Sequence, residues 1–150
     1  MNKIILRKAI KDEWVIISNF EKNAISKIFY PTVTKEEEIK KFLDENELFF
    51  IIFRDQKIGI IAYQERKDSF YICEFIIGLK FQGKGFGKQA LEALIKKAGN
   101  NKPATLVTHP ENSSAISIYL KAEFKIKGWK DNYFNDGTPR LLLVKEWALG

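Results

Sequence analysis

Three glycines at alternate positions stand where an apolar strand pattern changes into a helical one. Residues 82–88 read Gln-Gly-Lys-Gly-Phe-Gly-Lys. A backbone without side chains lets its N–H groups approach a ligand closely. A helix that begins here adds its unpaired first N–H groups and the positive end of its dipole. The segment therefore predicts a binding site for a phosphate or pyrophosphate.

Two better-known phosphate motifs fit this segment poorly. Residues 78–84 match the start of the nucleoside-triphosphate loop G-x-x-x-x-G-K, but Gly85 stands where a Ser or Thr should hold magnesium. The dinucleotide fingerprint G-x-G-x-x-G needs unequal spacing. Gly83, Gly85 and Gly87 are instead separated by one residue each. For the segment taken alone, a glycine-rich turn without a ligand stays an alternative.

A second polar pattern lies in residues 105–124. Asn112 and Tyr119 are seven positions apart in the chain, which on a helix is about two turns and nearly one face. The amide can hydrogen-bond one end of a ligand while the phenol stands at the other. Taken alone, Asn112 is equally well explained as a helix N-cap, and Tyr119 as a core tyrosine.

Size and composition indicate one globular domain spanning residues 1–150. Hydrophobic residues make up 45% and charged residues 29%, and the net charge is +6. The basic residues are scattered among acidic ones, which argues against a nucleic-acid partner. Apolar runs fall short of the roughly 20 residues that cross a bilayer, so no membrane partner is expected. Cys73 is the only cysteine, which fits a reducing cytoplasm.

Hydrophobic periodicity predicts an α/β fold. Strands are expected at residues 4–7, 48–53, 58–64, 70–77, 105–108, 124–129 and 140–147. Helices are expected at 10–20, from a capping box at Thr34 and Glu37, at 85–98, and from Asn112 to about Lys121. A turn at 55–57 and another at 66–69 make the middle strands an antiparallel meander. We expect a mixed, mostly antiparallel central sheet flanked by helices on both faces.

The two motifs together resemble those of the GNAT family of N-acetyltransferases. Residues 82–87 resemble the family's Q/R-x-x-G-x-G/A signature. Residues 105–124 resemble its second segment, a strand followed by Asn-x-x-Ala-x-x-x-Tyr on a helix and then Gly-Phe. Asn112, Ala115, Tyr119 and Phe124 fit, whereas Glu123 replaces the glycine and is expected to distort the next turn. The resemblance covers residues 48–147 well and the first 47 loosely.

The resemblance implies acetyl-CoA as co-substrate, with no metal and no acyl-enzyme. In the family, the backbone amides of the glycine loop hold the pyrophosphate, and a strand that splays from its neighbour admits the thioester. Carried onto this chain, acetyl-CoA is expected to contact Phe75, Ile76, Ile77, Gln82, Gly83, Lys84, Gly85, Phe86, Gly87, Lys88 and Asn112. His109 has no partners at metal-ligand spacing.

The same resemblance suggests the catalytic residues. Glu74 is the candidate base, because it is a lone carboxylate in an apolar strand, and burial raises the pKa of such a group. A structural carboxylate paired with a cross-strand lysine is the alternative for Glu74. Tyr119 is the candidate proton donor to the departing thiolate. An N–H within residues 75–77 is the expected oxyanion donor, and Cys73 reads as an inert core thiol.

The acceptor is expected to be a small amine, polyamine- or aminoglycoside-like. Its pocket should come from residues 14–33, with Phe29 and Tyr30, and from the hairpin at 129–140, whose aromatic residues would also suit a homodimer. The acids that could attract a cation are Glu21, Glu36 to Glu38, Asp131 and Asp136. Two alternatives stay open: a protein N-terminal or lysine acetyltransferase, and a non-catalytic acyl-CoA sensing domain. Val107, where some N-terminal acetyltransferases of the family have a glutamate, argues mildly against the former.

Overall fold

The computed structural model describes residues 3–24 and 33–147. In these ranges the helices are α1 (Trp14–Asn23), α2 (Glu36–Glu45), α3 (Phe86–Ala98) and α4 (Ser113–Lys121). The strands are β1 (Ile5–Lys8), β2 (Glu47–Phe53), β3 (Gln56–Glu65), β4 (Phe70–Ile77), β5 (Ala104–Thr108), β6 (Lys125–Lys130) and β7 (Arg140–Lys145). None of the described helices is long and apolar enough to cross a membrane.

The strands form one sheet in the order β1-β2-β3-β4-β5-β7-β6. Neighbouring strands are antiparallel except β4 and β5, which run in parallel. The short turns from β2 to β4 make the antiparallel meander, whereas α3 supplies the crossover that a parallel pair requires. The predicted mixed, mostly antiparallel sheet is confirmed.

Each face of the sheet buries its own hydrophobic cluster. On one face, Ile17 of α1 and Ile39 of α2 pack with Phe50. On the other, Leu91 of α3 and Tyr119 of α4 pack with core residues that include Phe49. Adjacent residues of β2 thus point to opposite faces, as strand geometry requires. The helices therefore cover both faces, as the sequence predicts.

Two local predictions are wrong by one or two residues. The box at the start of α2 is closed by Lys35, whose N–H donates to Glu38 Oε1 at 3.1 Å, while the Thr34 carbonyl accepts from Ser18 Oγ at 2.6 Å. The β2–β3 turn is centred on Arg54 and Asp55, with φ values of 50° and 64°. Because Phe53 pairs directly with Gln56, the turn is a two-residue hairpin loop.

A bulge in β4 changes which face its side chains occupy. Ala62 of β3 pairs with Glu74 and the next residue, Tyr63, pairs with Ile72, so Cys73 has no opposite residue on β3. Residues an even number apart on a regular strand share a face. Ile72 nevertheless packs on the α3–α4 side and Ile76 on the α1–α2 side. The extra residue therefore turns Glu74 toward α1.

Candidate active site

A gap opens in the sheet where β4 and β5 stop pairing. The two strands pair only at Phe70 with Ala104 and at Tyr71 with Thr105, although both continue beyond these positions. The divergence begins next to the bulge at Cys73, which bends β4. The remainder of β4 therefore has a backbone edge that β5 does not cover.

Two backbone groups of β4 are seen to face this open edge. The Phe75 N–H donates to Glu74 Oε1 at 3.1 Å, and the Ile77 carbonyl accepts from Gln82 Nε2 at 2.9 Å. The Ile76 carbonyl faces β3 instead, since a Cβ added to Gly59 would lie 2.2 Å from it. Of the three residues predicted to line acetyl-CoA, Phe75 and Ile77 thus offer backbone groups to the gap. Ile76 contributes a buried side chain to the core.

The glycine loop leads from this edge into α3. Gly83 and Gly85 have φ values of +75° and +84°, a region that side-chain-bearing residues rarely adopt, and a Cβ at either position would meet no atom within 4 Å. Gly85 is the N-cap of α3, and the Gln89 N–H makes the bond to its carbonyl at 3.3 Å. The N–H groups of the first turn before Gln89 have no helical acceptor. This arrangement fits an anionic group above the loop.

The third glycine and the neighbouring phenylalanine also pack against the core beneath the loop. A Cβ at Gly87 would lie 3.0 Å from Ile118 Cδ1 and 3.6 Å from Phe75 Cζ, so this glycine allows α3 to approach α4 and β4. Phe86 is buried, and its ring lies 4.6 Å from that of Phe53. The Phe86 ring and the bare backbone of Gly87 therefore both belong to the packing under the loop. Only their N–H groups remain for a ligand.

Charge around the loop comes from two lysines. Lys84 Nζ lies 6.0 Å from the centre of the Phe81 ring, and Lys88 Nζ lies 3.9 Å from Glu92 Oε1. The exposed lysines are free to reorient toward a phosphate, because a surface ion pair of this length contributes little.

Helix α4 brings the second motif to the gap. The Asn112 side chain caps the helix, its Oδ1 accepting from the Ala115 N–H at 3.4 Å. Two turns later Tyr119 is buried, with its ring 6.2 Å from that of Phe75. Burial raises the pKa of Tyr119, and the Glu74 carboxylate raises it further. The phenol therefore keeps its proton in the resting site and lies near the candidate base.

Glu74 is half-buried in β4 and faces a second carboxyl group. Burial raises its pKa, while the contact with Glu21 and the Phe75 N–H oppose the rise. None of the ion pairs among the described residues involves Glu74. The cross-strand lysine pair considered from the sequence is therefore not formed in the described part of the chain.

Glu21 was predicted only as one of several acids that could attract a cation, and its burial was not foreseen. It lies on the buried stripe of α1 with Ile17 and Ser18 and has 0% exposed surface. Burial and then Glu74 raise the pKa of Glu21 to about 11. The signal was present, because Glu21 follows Trp14 and Ile17 at helical spacing. An acid at such a position is unusual and points to function.

The other acids predicted to attract a cation already have partners or lie on the surface. Glu36 pairs with Lys40 at 2.9 Å, and Asp136 pairs with Arg140 at 3.1 Å. Asp131 Oδ1 accepts from Trp129 Nε1 at 2.8 Å. Phe29 and Tyr30, expected in the acceptor pocket, lie outside the described residues. Among the described candidate acids, Glu21 is the buried one.

Two further predicted residues have ordinary environments. Burial, more than the nearby Glu74, raises the pKa of the Cys73 thiol to about 12, as expected for an inert core cysteine. His109 Nδ1 accepts from the Glu111 N–H at 3.0 Å in the loop before α4. Within residues 3–24 and 33–147, no group of three or more His, Cys, Asp or Glu is arranged to hold a metal ion.

This combination of a mixed sheet with a parallel gap, a glycine loop and a capped α4 defines an acyl-CoA-dependent acyltransferase. The model of an acetyltransferase (GNAT) domain matches residues 16–141. The chain belongs to the GNAT family of acetyl-CoA-dependent N-acetyltransferases. Comparison with curated protein sequences gives no match.

Solved structures with the same fold include enzymes with different acceptors. A GNAT acetyltransferase from Elizabethkingia anophelis with acetyl-CoA bound is 22% identical, with a TM-score of 0.73 over 98% of this chain and 100% of that one. The ribosomal-protein-S18-alanine N-acetyltransferase from Escherichia coli is 14% identical, with a TM-score of 0.82 over 98% and 96%. Mutant forms of the spermidine/spermine N-acetyltransferase SpeG from Vibrio cholerae are 19% identical, with a TM-score of 0.76 over 95% and 93%. At these identities the likeness shows the fold alone.

Proposed function

We propose that this acetyltransferase moves the acetyl group of acetyl-CoA directly to the primary amine of a small molecule, polyamine- or aminoglycoside-like, within one catalytic domain. One observation carries the proposal. The Tyr119 ring on α4 lies 6.2 Å from that of Phe75, the residue that follows Glu74 on β4, at the gap where β4 and β5 separate. A base and a proton donor on either side of an open strand edge suit transfer from a thioester to an amine.

In this proposal the glycine loop and β4 hold acetyl-CoA. The pyrophosphate binds above Gly83 and Gly85 at the start of α3, where a Cβ would meet nothing. Gln82, which already donates to the Ile77 carbonyl, keeps the loop joined to the strand edge. The pantetheine arm continues along the open backbone of β4 toward Glu74. The Asn112 amide, beyond its role as N-cap, hydrogen-bonds this arm from α4.

The chemistry then divides between the two catalytic residues. Glu74 takes a proton from the ammonium form of the acceptor, because only the neutral amine is a nucleophile. The Phe75 N–H, which donates to Glu74 Oε1 at 3.1 Å in the resting site, then donates to the oxyanion instead. The new C–N bond forms as the C–S bond breaks. Tyr119 gives its proton to the departing thiolate.

Titration calorimetry tests the ligand first. Acetyl-CoA is expected to bind with micromolar affinity, whereas ATP–magnesium is expected not to bind. Binding of ATP–magnesium alone would instead favour a nucleotide-binding module. If acetyl-CoA binds, release of the CoA thiol is followed with a panel of polyamines, aminoglycosides and peptides with free N-termini.

The panel separates the remaining alternatives. Turnover with the polyamines or aminoglycosides supports the proposed acceptor class. Turnover with the peptides alone would replace it by a protein acetyltransferase. Tight acetyl-CoA binding without turnover of any amine would indicate a sensing domain.

A further inference from the structure

The carboxyl group of Glu21 is buried without an adequate partner. Neither of its oxygens makes a hydrogen bond within the described residues, and the side chain has no exposed surface. Its neighbour on the helix, Ser18, is satisfied by the Thr34 carbonyl at 2.6 Å. A buried polar group without a hydrogen bond is costly, and a buried charge more so. Glu21 therefore lowers stability where a leucine would raise it.

The ionisable groups that face Glu21 are acids and weak acids. Glu74 of β4 raises the pKa of Glu21, and it also raises the pKa values of Cys73 on its own strand and of Tyr119 on α4. No lysine, arginine or histidine among the described residues forms an ion pair with either carboxyl group. The described site thus contains two carboxyl groups and no cation.

A pair of buried carboxyl groups cannot both ionise without a counter-charge, so it holds a proton between them. Burial raises the pKa of both carboxyl groups, and Glu74 raises that of Glu21 further, whereas the contact with Glu21 and the Phe75 N–H oppose the rise at Glu74. A primary ammonium group supplies a positive charge and three N–H donors, enough to bond both carboxyl groups at once. Such a cation removes the repulsion that the empty pair suffers.

We infer that Glu21 is a specificity-determining residue that, together with Glu74, binds the acceptor as its ammonium ion, so that the enzyme prefers strongly basic aliphatic amines. This inference rests on the proposed function and deepens it. Glu74 serves as the base, whereas Glu21 contributes chiefly to acceptor binding. A weakly basic amine, neutral at pH 7, gains nothing from the second carboxyl group.

The protons balance for this acceptor. An ammonium ion must lose two protons to become the N–H of an amide. Glu74 takes the first and passes it to solvent, leaving a neutral amine that attacks the acetyl carbonyl. As the C–N bond forms and the C–S bond breaks, Tyr119 protonates the thiolate and the second nitrogen proton restores the phenol. The sum is one ammonium ion and acetyl-CoA converted to the acetamide, CoA thiol and one proton.

The test compares Glu21→Gln with Glu45→Gln. Glutamine keeps the shape of Glu21 but not its charge, and Glu45 is an exposed acid at the end of α2, 3.9 Å from Lys41. The probes are 1,4-diaminobutane, ethylamine and the equally small but weakly basic 2,2,2-trifluoroethylamine. Initial rates are measured at saturating acetyl-CoA by release of the CoA thiol.

For Glu21→Gln we expect KM for 1,4-diaminobutane to rise by roughly tenfold or more, with kcat within about threefold, because a buried charged contact is lost. The preference for ethylamine over trifluoroethylamine should shrink by a similar factor. Glu45→Gln should match wild type in both. An unchanged KM and preference in Glu21→Gln would overturn the inference.

A direct binding measurement distinguishes failure of this inference from failure of the proposed function. If wild type binds acetyl-CoA but turns over no amine, 1,4-diaminobutane is titrated calorimetrically into the enzyme–CoA complex. Binding that Glu21→Gln weakens supports the ammonium site even without turnover, and absence of binding to wild type overturns it. A Glu21→Asp variant, which retains the carboxylate, should recover part of the affinity, whereas a merely structural role would leave it no better than Glu21→Gln.

Discussion

The rings of Phe75 and Tyr119 lie 6.2 Å apart at an angle of 48°, and this contact joins β4 to α4 at the gap in the sheet. Phe75 and Tyr119 lie far apart in the chain, and in the sequence only the resemblance to the family's motifs links them. Their contact fixes the phenol close to the strand edge that carries Glu74. The position of Tyr119 is therefore set by packing, and its hydroxyl is left for chemistry.

Replacing Tyr119 by Phe should separate chemistry from binding. The ring contacts with Phe75 and Phe124 survive this change, so acetyl-CoA affinity and stability should stay close to wild type. Loss of the proton donor should lower kcat by about 100-fold or more. Calorimetry and thiol release measure the two quantities. Tyr63→Phe, on the same side of the sheet, is the control, and equal losses in both variants would remove Tyr119 from the mechanism.

Gly85→Ala should weaken acetyl-CoA binding. A side chain at φ +84° is strained, and its methyl group would occupy the open space above the loop. Gly137→Ala is a matched control, because Gly137 also has a positive φ, +81°, with nothing within 4 Å, but lies in the distant β6–β7 hairpin. Both variants should lose about 1 kcal/mol of unfolding free energy. Only Gly85→Ala should raise the Kd for acetyl-CoA, and equal Kd values would argue against the loop as the phosphate site.

Glu123→Gly should stabilise the protein. Glu123, in place of the family's glycine, is expected to distort this turn, yet it adopts φ 70° and the Phe124 N–H still reaches the Tyr119 carbonyl at 3.0 Å. Glycine relieves about 1 kcal/mol of left-handed strain. The ion pair with Lys145 at 3.6 Å contributes little, because the Glu123 side chain is exposed.

Urea denaturation measures the gain, with Glu123→Ala as the control. That variant removes the carboxylate but keeps the strain. A Glu123→Gly protein no more stable than Glu123→Ala would show that the turn is not strained.

Glu21→Gln should change how stability depends on pH. The pKa of Glu21 rises from 4.5 to about 11 on folding, so above pH 4.5 the folded state retains a proton that the unfolded state loses. Wild-type stability should therefore fall as pH rises, by up to about 1.4 kcal/mol for each pH unit. Glutamine removes this dependence, while Glu74 titrates in both proteins.

Urea denaturation at pH 5, 6.5 and 8 checks this prediction. The stability advantage of Glu21→Gln over wild type should be small at pH 5 and grow toward pH 8. Glu45→Gln again serves as the control, since its side chain is exposed. Parallel pH profiles for wild type and Glu21→Gln would mean that Glu21 is ionised in the folded protein.

The amino-acid sequence by itself determined the local structure and both motifs. The strand at 70–77 was predicted with its exact bounds, and Asn112 as the cap of α4, because alternation, helical spacing and capping are properties of neighbouring residues. Residue type also allows the positive φ values that Gly83 and Gly85 adopt. Family membership rested on these local patterns and is confirmed by the matching domain model.

Only the tertiary structure decided which side chains meet. The bulge at Cys73 depends on the register between β3 and β4, and it turns Glu74 toward the face where α1 carries Glu21. Nothing in the residues next to Glu74 specifies that register, because Cys73 becomes the extra residue of a bulge only through the way β4 pairs with β3. The role of Gly87 likewise depends on Ile118, brought to it by the packing of α3 on α4. Contacts between distant segments are set by the whole core, and so the carboxyl pair became visible only in the folded chain.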